Sequence, residues 1–359
     1  MPDQGVLEGI RVLDASQLLP GPWAAQLLGD LGADVTKVEP PSGDGGRQIR
    51  GELFAAANRN KRSVVIDLKT RAGTAEFLDL AREHDVLVEG FRPGVMERLG
   101  VGYEQVAEVN PGIVYCSVSG YGARGDHAPG HDINYLAASG ALSFSGHWGQ
   151  TPRRPGIPMA DLGSSCFAGL AVVSALYDRT RTGRGCHLDV SMTDVMTAWA
   201  AARGGPRLER AADDRRHLYP TNDVFRAADG RWLALGAVEE RFWEPTRAVL
   251  ATVEPAFEDE RFKGLDNRMR HGDEVHELLH RTFARRDRDD WLAMFAGTEA
   301  PVSAVLSLTE AADRELAADS GVVQTLDGER HVVFPVRRDG RVMGRLRGTA
   351  PELPTREGV

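Results

Sequence analysis

Cysteine is scarce in this chain: Cys116, Cys166 and Cys186 are the only three in 359 residues, and none lies in a Cys-x-x-Cys pair. An odd, sparse count excludes a disulfide framework and suggests a reducing compartment. All three read as small buried apolar side chains. Long apolar runs are missing too. No stretch of about 18 apolar residues is evident, so no transmembrane helix is expected. Met1-Pro2-Asp3-Gln4-Gly5 has neither the basic nor the apolar region of a secretion signal, which makes the cytoplasm the expected location. Positive charge is not in excess: the formal net charge is −9. That argues against nucleic acid or an anionic membrane as the main partner. Finally, no Gly-x-Gly-x-x-Gly follows the first apolar strand, which weakens a dinucleotide-binding reading.

What is present is a repeating strand–helix pattern. Residues 10–15 read as a strand and 23–31 as a helix, with Trp23, Leu27 and Leu31 at helical spacing. Residues 34–39 give the next strand, 63–68 another, 72–83 a helix, 85–89 and 112–118 further strands. This predicts an α/β fold with a Rossmann-like, doubly wound parallel sheet. A small-residue helix over 162–178, a strand over 186–190 and a helix over 192–203 extend it. The charged segment 203–219 breaks the pattern and reads as a linker. A hairpin, 222–225 and 232–237, then opens a smaller α+β domain over 220–315. Residues 1–202 thus form the N-terminal part of a large domain, and 316–359 return to it.

Two bases of different type stand out. His131 follows Gly130 and precedes a helix over 132–138 that Asp132 can cap. Histidine titrates nearest neutral pH of all side chains. His127 and His147 lie close by, so the residue type alone decides little. Asp161 stands at the N-cap of the 162–178 helix, where capping alone accounts for an aspartate. The same helix start offers N–H donors able to hold a developing enolate oxygen. Glu239 begins a helix, where the dipole favours acids. The cationic positions Lys37, Arg59, Lys61, Arg62, Lys69, Arg92 and Arg98 suggest phosphate contacts near strand ends.

Several stretches resemble the family III CoA-transferase superfamily. They are Val12-Leu13-Asp14 through Gly21-Pro22 and Asp30 through Val35, then Asn58 through Ser63 with Asp67-Leu68-Lys69. Gly90-Phe91-Arg92-Pro93-Gly94-Val95 and Asp178-Arg179 through Gly185 complete the set. The segment Gly130-His131-Asp132-Ile133-Asn134-Tyr135 resembles the alpha-methylacyl-CoA racemase branch, whose catalytic histidine matches His131. Asp161 matches an aspartate that serves as a base in racemases and as an acyl-anhydride carboxylate in transferases. Ala237-Val238-Glu239 resembles a racemase stretch whose glutamate hydrogen-bonds the histidine. Transferases tend to carry a glycine-rich loop over the site, and residues 216–226 contain no glycine. Pro40 stands where many relatives have an arginine, so one CoA phosphate contact is expected to be either missing or replaced by Lys37 or Arg47.

The resemblance implies an interlocked homodimer in which Glu239 reaches the partner's site. It implies a racemase or epimerase of a 2-methylacyl-CoA, or a related alpha-substituted acyl-CoA, acting by 1,1-proton transfer. The alternatives are an acyl-CoA:carboxylate CoA-transferase with Asp161 as nucleophile, and a non-catalytic CoA-ester-binding protein. The implied contacts to the CoA ester are Lys37, Ile66, Asp67, Leu68, Lys69, Gly90, Phe91, Arg92, Arg98, Gly130, Asp132, Ile133, Asn134 and Tyr135. No metal and no cofactor are expected, because CoA enters as part of the substrate.

Overall fold

The computed structural model describes residues 5–49, 51–125, 128–144, 146–150, 152–205 and 217–354. Most of the expected linker (206–216), together with His127, lies outside them. The chain forms two compact units: residues 1–141, 155–202 and 312–359 in the first, and 142–154 and 203–311 in the second.

The first unit holds a six-stranded parallel sheet in the order β3-β2-β1-β4-β5-β6. The strands are β1 (Arg11–Asp14), β2 (Asp34–Glu39), β3 (Lys61–Val65), β4 (Val86–Glu89), β5 (Val114–Ser119) and β6 (Cys186–Ser191). Both faces are covered, which is why the strands read as apolar runs and not as alternations. On one face Leu13, Leu87 and Tyr115 pack with Phe77 of helix α1 (Arg71–Arg82) and Val106 of α2 (Tyr103–Val109). The alternate residues Val12, Val86, Val88, Val114 and Cys116 are equally buried. The C-terminal return is tied in by Phe334, whose N–H donates to Asp30 (2.9 Å), and by Arg347, which donates to the Gly29 and Ala33 carbonyls (2.7 Å each).

Two boundary shifts matter for the site. Strand β3 ends at Val65, so Ile66, Asp67, Leu68 and Lys69 fall in the loop beyond its C-terminal end. Helix α4 (Met159–Thr182) starts three residues before the expected 162, after α3 (Asp132–Ala138). Asp161 therefore sits inside its first turn, and Pro158 holds the N-cap. Helix α4 is long and apolar enough to span a membrane by length and composition, with a mean hydropathy of 1.5 over its best window. Ala160, Gly163, Ala168, Val172 and Leu176 form its buried side, whereas Phe167, Leu170, Val173 and Tyr177 are exposed.

The second unit pairs a three-stranded antiparallel sheet, β7 (Asn222–Arg226), β8 (Trp232–Gly236) and β9 (Val302–Ala304), with helices. Phe225, Leu233, Trp243, Phe283 and Trp291 build its core. It also takes in residues 142–154, which apolar periodicity did not announce because polar contacts anchor them. Trp148 donates its backbone N–H to Asp223 (3.0 Å) and its indole N–H to Asp273 (2.8 Å), and His147 shares a 2.6 Å hydrogen bond with Asp223.

Candidate active site

In open α/β sheets ligands bind beyond the carboxyl ends of the strands, where the strand order reverses. Here the reversal falls between β1 and β4. A cavity of about 640 Å³ lies at that point, lined by Leu18, Gly90, Phe91, Arg92, Ser119, Tyr121, Gly130, His131, Asn134, Tyr135 and Asp161, among others. A second cavity of about 410 Å³ is lined by Pro40, Ser42, Gln48, Ile66, Asp67, Leu68 and Lys69. Gln17 and Phe91 line both.

His131 is the N-cap residue of α3, with extended backbone and an exposed side chain. Its position is fixed from both sides. The carboxamide oxygen of Asn134 accepts the His131 N–H (3.0 Å), and the Tyr135 hydroxyl donates to the Gly130 carbonyl (2.7 Å). A Cβ on Gly120 or Gly130 would lie 2.3 or 2.8 Å from the Tyr135 ring. Both glycines are thus required by the ring that orients the histidine loop.

Asp161 is half-buried on the wall of the same cavity. Burial pushes its carboxyl up to about 7, and the neighbouring charge of Asp132 adds to the effect. At neutral pH the group is poised to hold or release a proton. Asp132 itself departs from the expected roles of helix cap and substrate contact. It is buried at 5% exposure and lines neither cavity. Its carboxylate turns to α4, accepting the Ala160 N–H at 2.7 Å and the Asp161 N–H at 3.4 Å. The first-turn donors expected to face an enolate oxygen are thus partly engaged, Ala160 closely and Asp161 loosely.

The predicted contacts divide by place. Gly90, Phe91, Arg92, Gly130, Asn134 and Tyr135 meet at the larger cavity, and Ile66, Asp67, Leu68 and Lys69 at the second. Ile133 and Arg98 line neither; Arg98 is exposed and sits between Val95 and Leu99, which line the second cavity. Lys37 is a correction. Its side chain is fully buried, 2.9 Å from Asp44 and 3.7 Å from Asp14, and has no access to a phosphate. Arg47 is likewise engaged, bonding both carboxylate oxygens of Glu39 at 2.8 Å and stacking on Phe54 at 3.5 Å. Glu239 belongs to the second unit, where it is the exposed N-cap residue of α5 (Glu240–Ala251).

Sequence reasoning passed over Glu89. Burial pushes its carboxyl up to about 7, and it accepts the Phe91 N–H at 2.7 Å, fixing the loop that carries Phe91 and Arg92. The available signal was an acid ending an apolar strand just before a glycine.

The model of CoA-transferase family III matches residues 7–355. The human alpha-methylacyl-CoA racemase is 37% identical over 322 residues, covering 85% of this chain and 78% of the relative. The acetyl-CoA:oxalate CoA-transferase of Acetobacter aceti is 33% identical over 369 residues, covering 98% and 93%. The crystal structure of a CAIB/BAIF family protein from Brucella suis aligns with a TM-score of 0.84 at 27% identity, covering 98% and 97%. Racemases and transferases both occur among these relatives, and the chain belongs to CoA-transferase family III, whose members are enzymes of acyl-CoA thioesters.

Proposed function

We propose that this chain is a racemase or epimerase of a 2-methylacyl-CoA or a related alpha-substituted acyl-CoA. The observation that supports the reading is that His131 and Asp161 line one cavity, with the Asp161 carboxyl held near neutrality. The thioester acidifies the alpha C–H by delocalising charge onto its oxygen. His131 removes that proton, the C–H electrons pass to the thioester oxygen, and the planar enolate forms. Asp161, in its protonated form, then delivers its proton to the opposite face. The roles reverse for the other enantiomer. Arg92, which lines the larger cavity, and Lys69, which lines the second, are proposed to meet CoA phosphates.

The enzyme is proposed to act as an interlocked homodimer, with Glu239 of the partner chain bonded to the far ring nitrogen of His131. The exposed apolar side of α4 supports a protein-covered face.

The second reading, CoA transfer through Asp161 as nucleophile, is favoured by the transferase relative that covers 98% of the chain. Trapping separates the two. Intact mass spectrometry after turnover with hydroxylamine should show an unmodified chain. A substrate-dependent adduct mapped to Asp161 would establish the transferase.

A further inference from the structure

The walls of the two cavities are joined beneath their surface by buried charge. Asp44 and Lys37, at 1% and 0% side-chain exposure, pair at 2.9 Å. One oxygen of Asp44 accepts the Leu18 N–H (3.0 Å) and the Gly46 N–H (2.7 Å). Lys37 also donates to the Ser16 carbonyl at 2.8 Å. Lys61, fully buried beside them, donates to Asp14, to the Pro22 carbonyl and to Asn58, each at 2.8 Å. Leu18 and Pro20 line the larger cavity, Gly43 and Gly45 line the second, and Gln17 lines both.

Two physical points argue for a positional role. Buried ion pairs of this kind are often no better for stability than apolar side chains of similar volume. Leu18 also adopts φ +66°, a left-handed conformation that a leucine keeps only where its surroundings enforce it. The Asp44 carboxylate accepts its N–H in that conformation.

We propose that the Lys37–Asp44 pair is a positioning clamp that holds the loops 16–19 and 43–46 in one register, so that a single long ligand can occupy both cavities. The inference rests on the CoA-thioester reading only for the identity of that ligand. Neither residue touches the ligand.

Amide hydrogen exchange tests the clamp without ligand. The Leu18 amide should be protected in the wild-type protein. In Asp44→Ala it should exchange at least about tenfold faster, the effect of losing one hydrogen bond to a charged group. Asp44→Asn, which keeps an acceptor oxygen, should lie between the two. Ligand binding supplies the second readout. In Asp44→Ala the KM for an acyl-CoA should rise about tenfold. The KM for the same acyl group on pantetheine, which lacks the nucleotide end, should rise clearly less, and kcat should hold. An unprotected Leu18 amide in the wild-type protein overturns the clamp even if the alanine variant fails to fold. So does an equal loss for both thioesters. If the exchange contrast is present but wild-type protein has no affinity for CoA thioesters, the CoA reading fails and the clamp stands.

Discussion

The two units bury different things. The second encloses aromatic side chains: Phe225, Trp243, Phe257, Phe283 and Trp291 are all fully buried. The first buries charge at the carboxyl end of its sheet: Asp14, Lys37, Glu39, Asp44 and Lys61 are each at 7% exposure or less. Aromatic burial is a direct source of stability, about 1.5–3 kcal/mol for a phenylalanine-sized side chain. Buried ion pairs roughly break even, yet removing one partner strands the other. The difference teaches that the second unit is built for cohesion, whereas the first gives up cohesion to fix the edge that carries the cavities.

The comparison breaks most visibly at His131. His131→Ala should lower turnover by about 10²–10⁴, as for a positioned acid or base, with little change in melting temperature or ligand affinity. Near-normal steady-state racemisation by the folded variant would remove His131 from the mechanism. Phe283→Ala should do the reverse, losing about 3–5 kcal/mol in denaturant unfolding while the folded fraction keeps its kcat.

A smaller effect tests the proposed dimer. Each single variant, His131→Ala or Glu239→Gln, should be impaired as a homodimer. Their purified heterodimer holds one intact and one doubly damaged site, so it should regain about half of wild-type activity if the sites are independent. Recovery no better than either homodimer contradicts a Glu239 contributed by the partner.

The smallest effects concern pH. Asp132→Asn keeps an acceptor for Ala160 and the burial that chiefly raises Asp161, but removes the neighbouring charge that adds to it. The limb of the pH–rate profile set by Asp161 should move below about 7. Stability has its own signature. Asp161 and Glu89 both titrate near 7 in the folded state, above the ordinary carboxyl value. Between these values the folded chain binds more protons than the unfolded one. Their contribution is therefore full at low pH and is lost as pH rises through 7. Asp14, lowered to about 2 despite its burial by Lys37 and Lys61, acts oppositely and loses its contribution only as pH falls toward 2. Glu89→Gln should flatten the decline in melting temperature between about pH 4.5 and 7; an unchanged slope removes Glu89 from the explanation.

Much of the first unit was legible because parallel strands covered on both faces leave apolar runs of fixed length. His131 and Asp161 were legible from local pattern and resemblance, and they do meet at one cavity. Lys37 was misread because a lysine near a strand end looks the same whether it faces solvent or an aspartate. Asp132 was misread because its partner lies 28 residues away on another helix. The excursion 142–154 left no trace because it is held by Asp223 and Asp273, single polar anchors without periodicity.

Proton exchange tests the central claim most directly. Incubation with one enantiomer of a 2-methylacyl-CoA in deuterated water, without any acceptor acid, should place deuterium at the alpha carbon and yield both enantiomers. Interconversion of the enantiomers should be lost in both His131→Ala and Asp161→Asn, whereas alpha-proton exchange of the starting enantiomer should be lost only in the variant that lacks the base on that enantiomer's face. No deuterium at the alpha carbon, with CoA passing to an added carboxylic acid instead, would contradict the racemase account.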